Sequence, residues 1–117
     1  MTQDDETTIA TLKAAMRRFA VARDWDRFHS PKNLVMALAC EVAELMEHFL
    51  WISEDESRQR VLDPVHREAI ADELADVAGL VLQFSIHSDI DLTSAIREKL
   101  VKNEHKYPAP SPTESGE

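Results

Sequence analysis

The sequence predicts an all-α fold, a four-helix antiparallel bundle that oligomerises. Three observations predict it. The chain has only two glycines in 117 residues, too few for the turns of an antiparallel sheet. Apolar residues recur at helical spacing through four segments. The segments are joined by short polar connections, which favour antiparallel neighbours.

The first helix is expected over residues 5–23, where Ile9, Leu12, Ala15, Met16, Phe19 and Ala20 recur at helical spacing. "RDWDRFHSPKN" then breaks the pattern. Pro31 disfavours helix at Ser30, which leaves Ser30 as an N-cap with Pro31 in the first helical position. The second helix is expected over 31–52, with an apolar stripe of Val42, Leu45, Met46 and Phe49. Ser53 and Glu56 have capping-box spacing and start a short helix. After Pro64 a third helix runs over 65–87. Its second half, "VAGLVLQFSI", is apolar nearly all round and reads as a central, buried helix. Asp91 caps a fourth helix over 92–105. Residues 1–108 thus form one helical domain. The remainder, 109–117, is acidic and rich in Pro and Ser, the composition of a disordered tail. So apolar a third helix in so small a chain predicts burial by oligomerisation.

The formal net charge of −9 argues against nucleic acid as a partner. The acidic N-terminus lacks the pattern of a signal peptide, and no apolar run approaches the roughly 20 residues that span a bilayer. The single cysteine, Cys40, cannot form an intrachain disulfide and reads as a small buried hydrophobe in a reducing compartment. A cytoplasmic protein with no membrane partner is expected.

Acids interrupt the two central helices. Glu41 and Glu44 lie three apart, as do Glu73 and Asp76, so each pair shares a helix face. If the helices pack antiparallel, four carboxylates meet. Their repulsion is relieved by protonation or by a divalent cation. An all-oxygen set favours Mg²⁺, Mn²⁺ or Ca²⁺. Neither the Glu-x-x-His of di-iron bundles nor the His-Glu-x-x-His of zinc hydrolases occurs. Mg²⁺ commonly binds a few carboxylates together with substrate phosphates, so hydrolysis of a phosphate ester or anhydride fits. Equally, acids at such spacing are common on solvated helix faces.

The order Glu41-x-x-Glu44, then Glu73-x-x-Asp76 within "DELADV", resembles the motif of the MazG-like, all-α nucleoside triphosphate pyrophosphohydrolases. "RDWDRFHSPKN", Trp51 and "KLVKNEHKYP" extend the resemblance over about 25–108, and the dCTP pyrophosphatase branch is the most similar. The resemblance implies Mg²⁺, with Mn²⁺ as a substitute, held by Glu41, Glu44, Glu73 and Asp76, which serve as both metal ligands and catalytic groups. It implies cleavage of a nucleoside triphosphate between its α- and β-phosphates, with Glu41 or Glu44 orienting or deprotonating the water. Trp25 and Trp51 resemble aromatics that enclose the base, and the resemblance implies that His29 and Asn33 also meet the nucleotide; equally, His29 reads as a turn residue and Asn33 as a helix-start residue. Lys99, Asn103 and Lys106 share one helical face, and the resemblance implies that this region contacts phosphate and sugar, with Tyr107 either lining the same site or anchoring the chain end. The ordinary alternatives are core contacts for the tryptophans, and a solvated basic helix end for the lysines. Glu47 is a further acid or an exposed one. His48, His66, His87 and His105 are expected at the surface or satisfied. The implied substrate is a pyrimidine deoxynucleotide such as dCTP or a modified form, in a housecleaning role. The implied assembly is a homotetramer, with a homodimer as runner-up. One departure is Leu80, where the dCTP-specific branch carries Tyr. Two rival readings are a dUTPase-like all-α hydrolase and a non-catalytic helical oligomerisation module.

Overall fold

The computed structural model describes residues 2–111. It contains helix α1 (Gln3–Glu6), α2 (Ile9–Ala22), a 3-10 turn (Asp26–Phe28), α3 (Pro31–Glu47), α4 (Glu54–Arg60), α5 (Pro64–His87) and α6 (Leu92–Lys106). No strand occurs among the described residues, so the all-α class stands. Of the expected tail, residues 112–117 lie outside the described residues.

Local chemistry sets the boundaries. The first expected helix is split, because the Thr8 hydroxyl accepts from the Thr11 amide and restarts the chain as α2. Ser30 caps α3 as expected, accepting from the Asn33 amide, with Pro31 behind it. The second helix ends at Glu47, five residues earlier than expected, and the chain turns through Trp51 at φ 66°. Ser53 caps α4, Asp63 caps α5 and Asp91 caps α6.

Helix α5 is the centre, as its all-round apolarity predicted. It packs against both α3 and α2. Val35 and Leu38 line one cavity with Val81 and Phe84, whereas Glu41 lies within 4.8 Å of Glu73 and Asp76. Residue numbers rise on α3 as they fall on α5, so the two helices are antiparallel. Helix α2 also runs antiparallel to α5. Its Lys13 Nζ donates to the Ile90 carbonyl at 3.3 Å, and its Met16 carbonyl accepts from Gln83 Nε2 at 3.0 Å. Gly79 permits this approach, since a Cβ there would stand 2.9 Å from Met16 Cε.

The inward stripe of α3 differs from the expected one. Leu34, Leu38, Glu41, Leu45 and His48 are its protected residues, while Val42 and Met46 are exposed. Cys40 is exposed as well, because it lies off that stripe. Helix α6 packs only weakly on the others, and its Leu100 and Val101 are open to solvent. Among the described residues only Ala20 and Leu34 are buried apolar side chains, at 1% and 2% exposure. The Cα radius of gyration is 17.9 Å, where a compact chain of about 100 residues comes to ~13 Å.

Candidate functional site

The helix register places acids on core stripes. Glu41 shares its stripe with Leu38 and Leu45, and Glu73 shares one with Ile70 and Val77. Because α3 and α5 are antiparallel, the two stripes bring the acids face to face. Oxygens of Glu41, Glu73 and Asp76 lie within 4.8 Å of one another. Glu44 is the fourth member, close enough to act on both Glu41 and Glu73.

Burial and repulsion within this set raise the proton affinity of two of its members, Glu41 and Glu73. Partial burial, then the neighbouring Glu44 and the charges of Asp76 and Glu73, push the Glu41 carboxyl above the usual carboxylate range. Burial and Glu44, then Asp76, push Glu73 up in the same way, with His48 pulling it partly back. Glu41 Oε2 and Glu73 Oε2 are shielded from water and have no hydrogen-bond partner. Unpartnered buried acceptors are costly, and here two of them face a common point with further carboxylates around it. This donor set, all oxygen and strongly negative, fits a hard divalent cation. Glu47 lies on the exposed side of the last turn of α3 and is not in the set.

Beside the carboxylates is a cleft of about 520 Å³. Glu41 and Asp76 line one side and Trp25 and His29 another. Trp25 is held by its backbone and its ring. Its amide donates to the Ala20 carbonyl at 2.9 Å, and its ring meets Phe19 edge-on with centroids 5.6 Å apart. Met16, Phe19 and Ala20 of α2 complete the apolar wall, and Gly79, Leu80 and Gln83 line the α5 side. All of these but Leu80, the position already noted as a departure from the dCTP-specific branch, are missing from the site residues picked out in the sequence. Their only signal there is membership of apolar helices, which marks core and cleft alike.

The other expected contacts are not gathered here within one chain. Asn33 braces its own loop, its Nδ2 donating to the Phe28 carbonyl at 2.9 Å. Trp51 is 97% exposed. Lys99 and Asn103 line a separate groove on α6. Lys106 lies over the Tyr107 ring at 5.3 Å, and Tyr107 is exposed. His87 departs from its expectation. It is half-buried beside Asp26 and His29 instead of lying at the surface or being satisfied.

Comparison with known proteins gives a consistent picture. The profile of the MazG-like family matches residues 36–116. The chain is 36% identical over 103 residues to dCTP pyrophosphatase 1 of Mus musculus, covering 88% of this chain and 61% of that protein. It is 36% identical over 104 residues to the Homo sapiens protein of the same name, covering 89% of this chain and 61% of that protein. The chain therefore spans about three-fifths of the curated relatives it matches. A pyrophosphatase structure from Archaeoglobus fulgidus superposes with a TM-score of 0.79 at 33% identity, covering 93% of this chain and 95% of that one.

Proposed function

The chain belongs to the MazG-like family, and from that premise we propose that it is a Mg²⁺-dependent nucleoside triphosphate pyrophosphohydrolase. The observation that carries the reading is the convergence of Glu41, Glu73 and Asp76, with Glu44 beside them, where Glu41 and Asp76 line a largely apolar cleft. Glu41, Glu44, Glu73 and Asp76 would hold Mg²⁺, with Mn²⁺ as a substitute. Bound there, the ion would neutralise phosphate charge and lower the pKa of a bound water.

The chain's own residues supply the rest. Water attacks the α-phosphorus, the α–β anhydride bond breaks, and the products are a nucleoside monophosphate and pyrophosphate. Glu41 or Glu44 orients the water and receives its proton. The base occupies the cleft, against Trp25 and His29, where stacking on an aromatic ring contributes roughly 1–3 kcal/mol. The names of the relatives support a pyrimidine deoxynucleotide, dCTP or a modified form, as the substrate. Leu80 stands in the cleft wall and offers no hydroxyl to the sugar. A housecleaning role in the cytoplasm is part of the same reading, supported by the single unpaired cysteine.

The active form is an assembly, a homotetramer, with a homodimer as the runner-up. The single chain exposes 9411 Å², whereas a compact monomer of this mass exposes roughly 6,450 Å². The open apolar residues on α3 and α6 support burial between copies. In that assembly Trp51, Lys99, Asn103, Lys106 and Tyr107 act on the cleft of another copy, and Asn33 acts by shaping the loop that carries His29. Residues 1–108 are the functional unit.

The test is pyrophosphate release from a panel of ribo- and deoxynucleoside triphosphates, with Mg²⁺ and with EDTA. Metal-dependent release, highest for dCTP or a modified cytosine nucleotide, is expected. Highest release from dUTP would point to the dUTPase-like alternative. No release from any member, with no effect of Mg²⁺ on melting, would leave a non-catalytic oligomerisation module.

A further inference from the structure

A second group of metal-competent side chains shares only His29 with the cleft, and the proposed reaction gives its other two members, Asp26 and His87, no role. Asp26 stands on the 3-10 turn, His29 follows that turn, and His87 ends α5. One oxygen of Asp26 and one ring nitrogen of each histidine lie within 4.8 Å of one another. His87 Nε2 is 3.3 Å from Asp26 Oδ1, and the two imidazoles meet edge-to-face with centroids 5.4 Å apart. Asp26 Oδ1, His29 Nδ1 and His87 Nε2 are each shielded from water and make no hydrogen bond. The His87 side chain is only 16% exposed.

An ion pair between His87 and Asp26 accounts for two of these atoms and leaves His29 Nδ1 stranded. A shared cation accounts for all three. Ligand atoms about 2.0–2.1 Å from a tetrahedral metal lie roughly 3.3–3.4 Å from one another, which matches the His87–Asp26 separation. We propose that Asp26, His29 and His87 form a transition-metal site that takes Zn²⁺ in preference to Mg²⁺. Imidazole nitrogens suit Zn²⁺, whereas Mg²⁺ prefers oxygen, so the chain carries two metal centres divided by ligand chemistry. Three protein ligands leave one position open on the ion. The ion ties the 3-10 turn to the end of α5, and so fixes the segment that places Trp25 and His29 in the cleft wall. The site was hidden in the sequence because Asp26 and His87 are 61 positions apart, and only the antiparallel return of α5 joins them.

The test uses the full chain carrying Glu41→Gln and Asp76→Asn, so that the carboxylates do not compete for the probe, which is Zn²⁺ alone. Calorimetry is expected to give one Zn²⁺ per chain. The ring resonances of His29 and His87 should shift while those of His66 and His105 do not, and Tm should rise in a manner reversed by EDTA. Adding His87→Gln should remove stoichiometric binding. Asp26→Asn, on a half-exposed turn, should weaken it even if the His87 variant folds poorly. No Zn²⁺ binding, or binding unmoved by both substitutions, would overturn the proposal. The readout is independent of hydrolysis, so a failed nucleotide assay and a failed zinc site remain distinguishable.

Discussion

Diluting this protein should lower its unfolding temperature by an amount that counts its subunits. The reasoning starts from burial. Among its described residues the single chain has only Ala20 and Leu34 as buried apolar side chains and leaves Met36, Met46, Leu74 and Leu100 more than half open. In the proposed assembly, other copies cover much of the ~3,000 Å² that the single chain exposes beyond a compact monomer's surface. If folding and assembly are linked, mass action makes Tm depend on concentration. Unfolding entropy near 60 °C is about 2.1 cal/mol/K per residue, so 117 residues give roughly 0.25 kcal/mol/K per chain. A tenfold dilution changes the free energy of dissociating a dimer by about 1.5 kcal/mol at that temperature, and of a tetramer by about three times that. Divided by the entropy of two or four chains, the shift is ~3 °C per tenfold for a dimer and ~4–5 °C for a tetramer. Scanning calorimetry over a hundredfold concentration range should therefore show ~9 °C for the tetramer and ~6 °C for the dimer. A Tm that does not move would refute the argument from exposed surface and leave a folded monomer.

Other consequences are more local. Glu41→Gln or Asp76→Asn should cut pyrophosphate release by at least ~100-fold, the scale seen when charge stabilisation is removed, with an unchanged far-UV spectrum; full activity in both would sink the four-carboxylate assignment. Gly79→Ala should be neutral or stabilise by up to ~1 kcal/mol, since alanine suits a helix interior and the atom in its way is the mobile end of Met16. The displaced methyl should narrow the cleft, so KM should rise more than kcat falls; a strongly destabilised variant would show that Met16 has nowhere to go. Asp63 accepts from His66 and from the Val65 amide, which hold its carboxyl below the usual range. Its contribution is present at neutral pH and lost as pH falls from about 4 through the lowered value. Asp63→Asn should then flatten the acid limb of the stability curve, measured by urea melts from neutral to acid pH, and an unchanged limb would assign acid unfolding to other groups.

What could be read from the chain alone follows from periodicity and capping, which are local. Ser30 with Pro31, Ser53 and Asp91 announce their helices, because a cap satisfies amides two or three residues away. Spacing of three puts Glu41 with Glu44, and Glu73 with Asp76, whatever the tertiary fold. The motif order then carried the family. Long-range geometry was less legible. Thr8 splits the first helix because a hydroxyl competes with a helical pattern that looks continuous in one dimension. Val42 and Met46 look like core and are exposed, since periodicity names an apolar face but not the molecule that covers it. Gly79 decides how closely α2 approaches α5, and through Met16 and Phe19 that approach builds a wall of the cleft. The meeting of Asp26, His29 and His87 likewise depends on how the 3-10 turn rests on the end of α5. The sequence by itself determined the helices and the chemical nature of the acidic site, because both depend on neighbours within two turns. The tertiary structure alone decided which acids share a centre, what encloses the cleft and which apolar faces stay open, because those depend on packing between segments far apart in the chain.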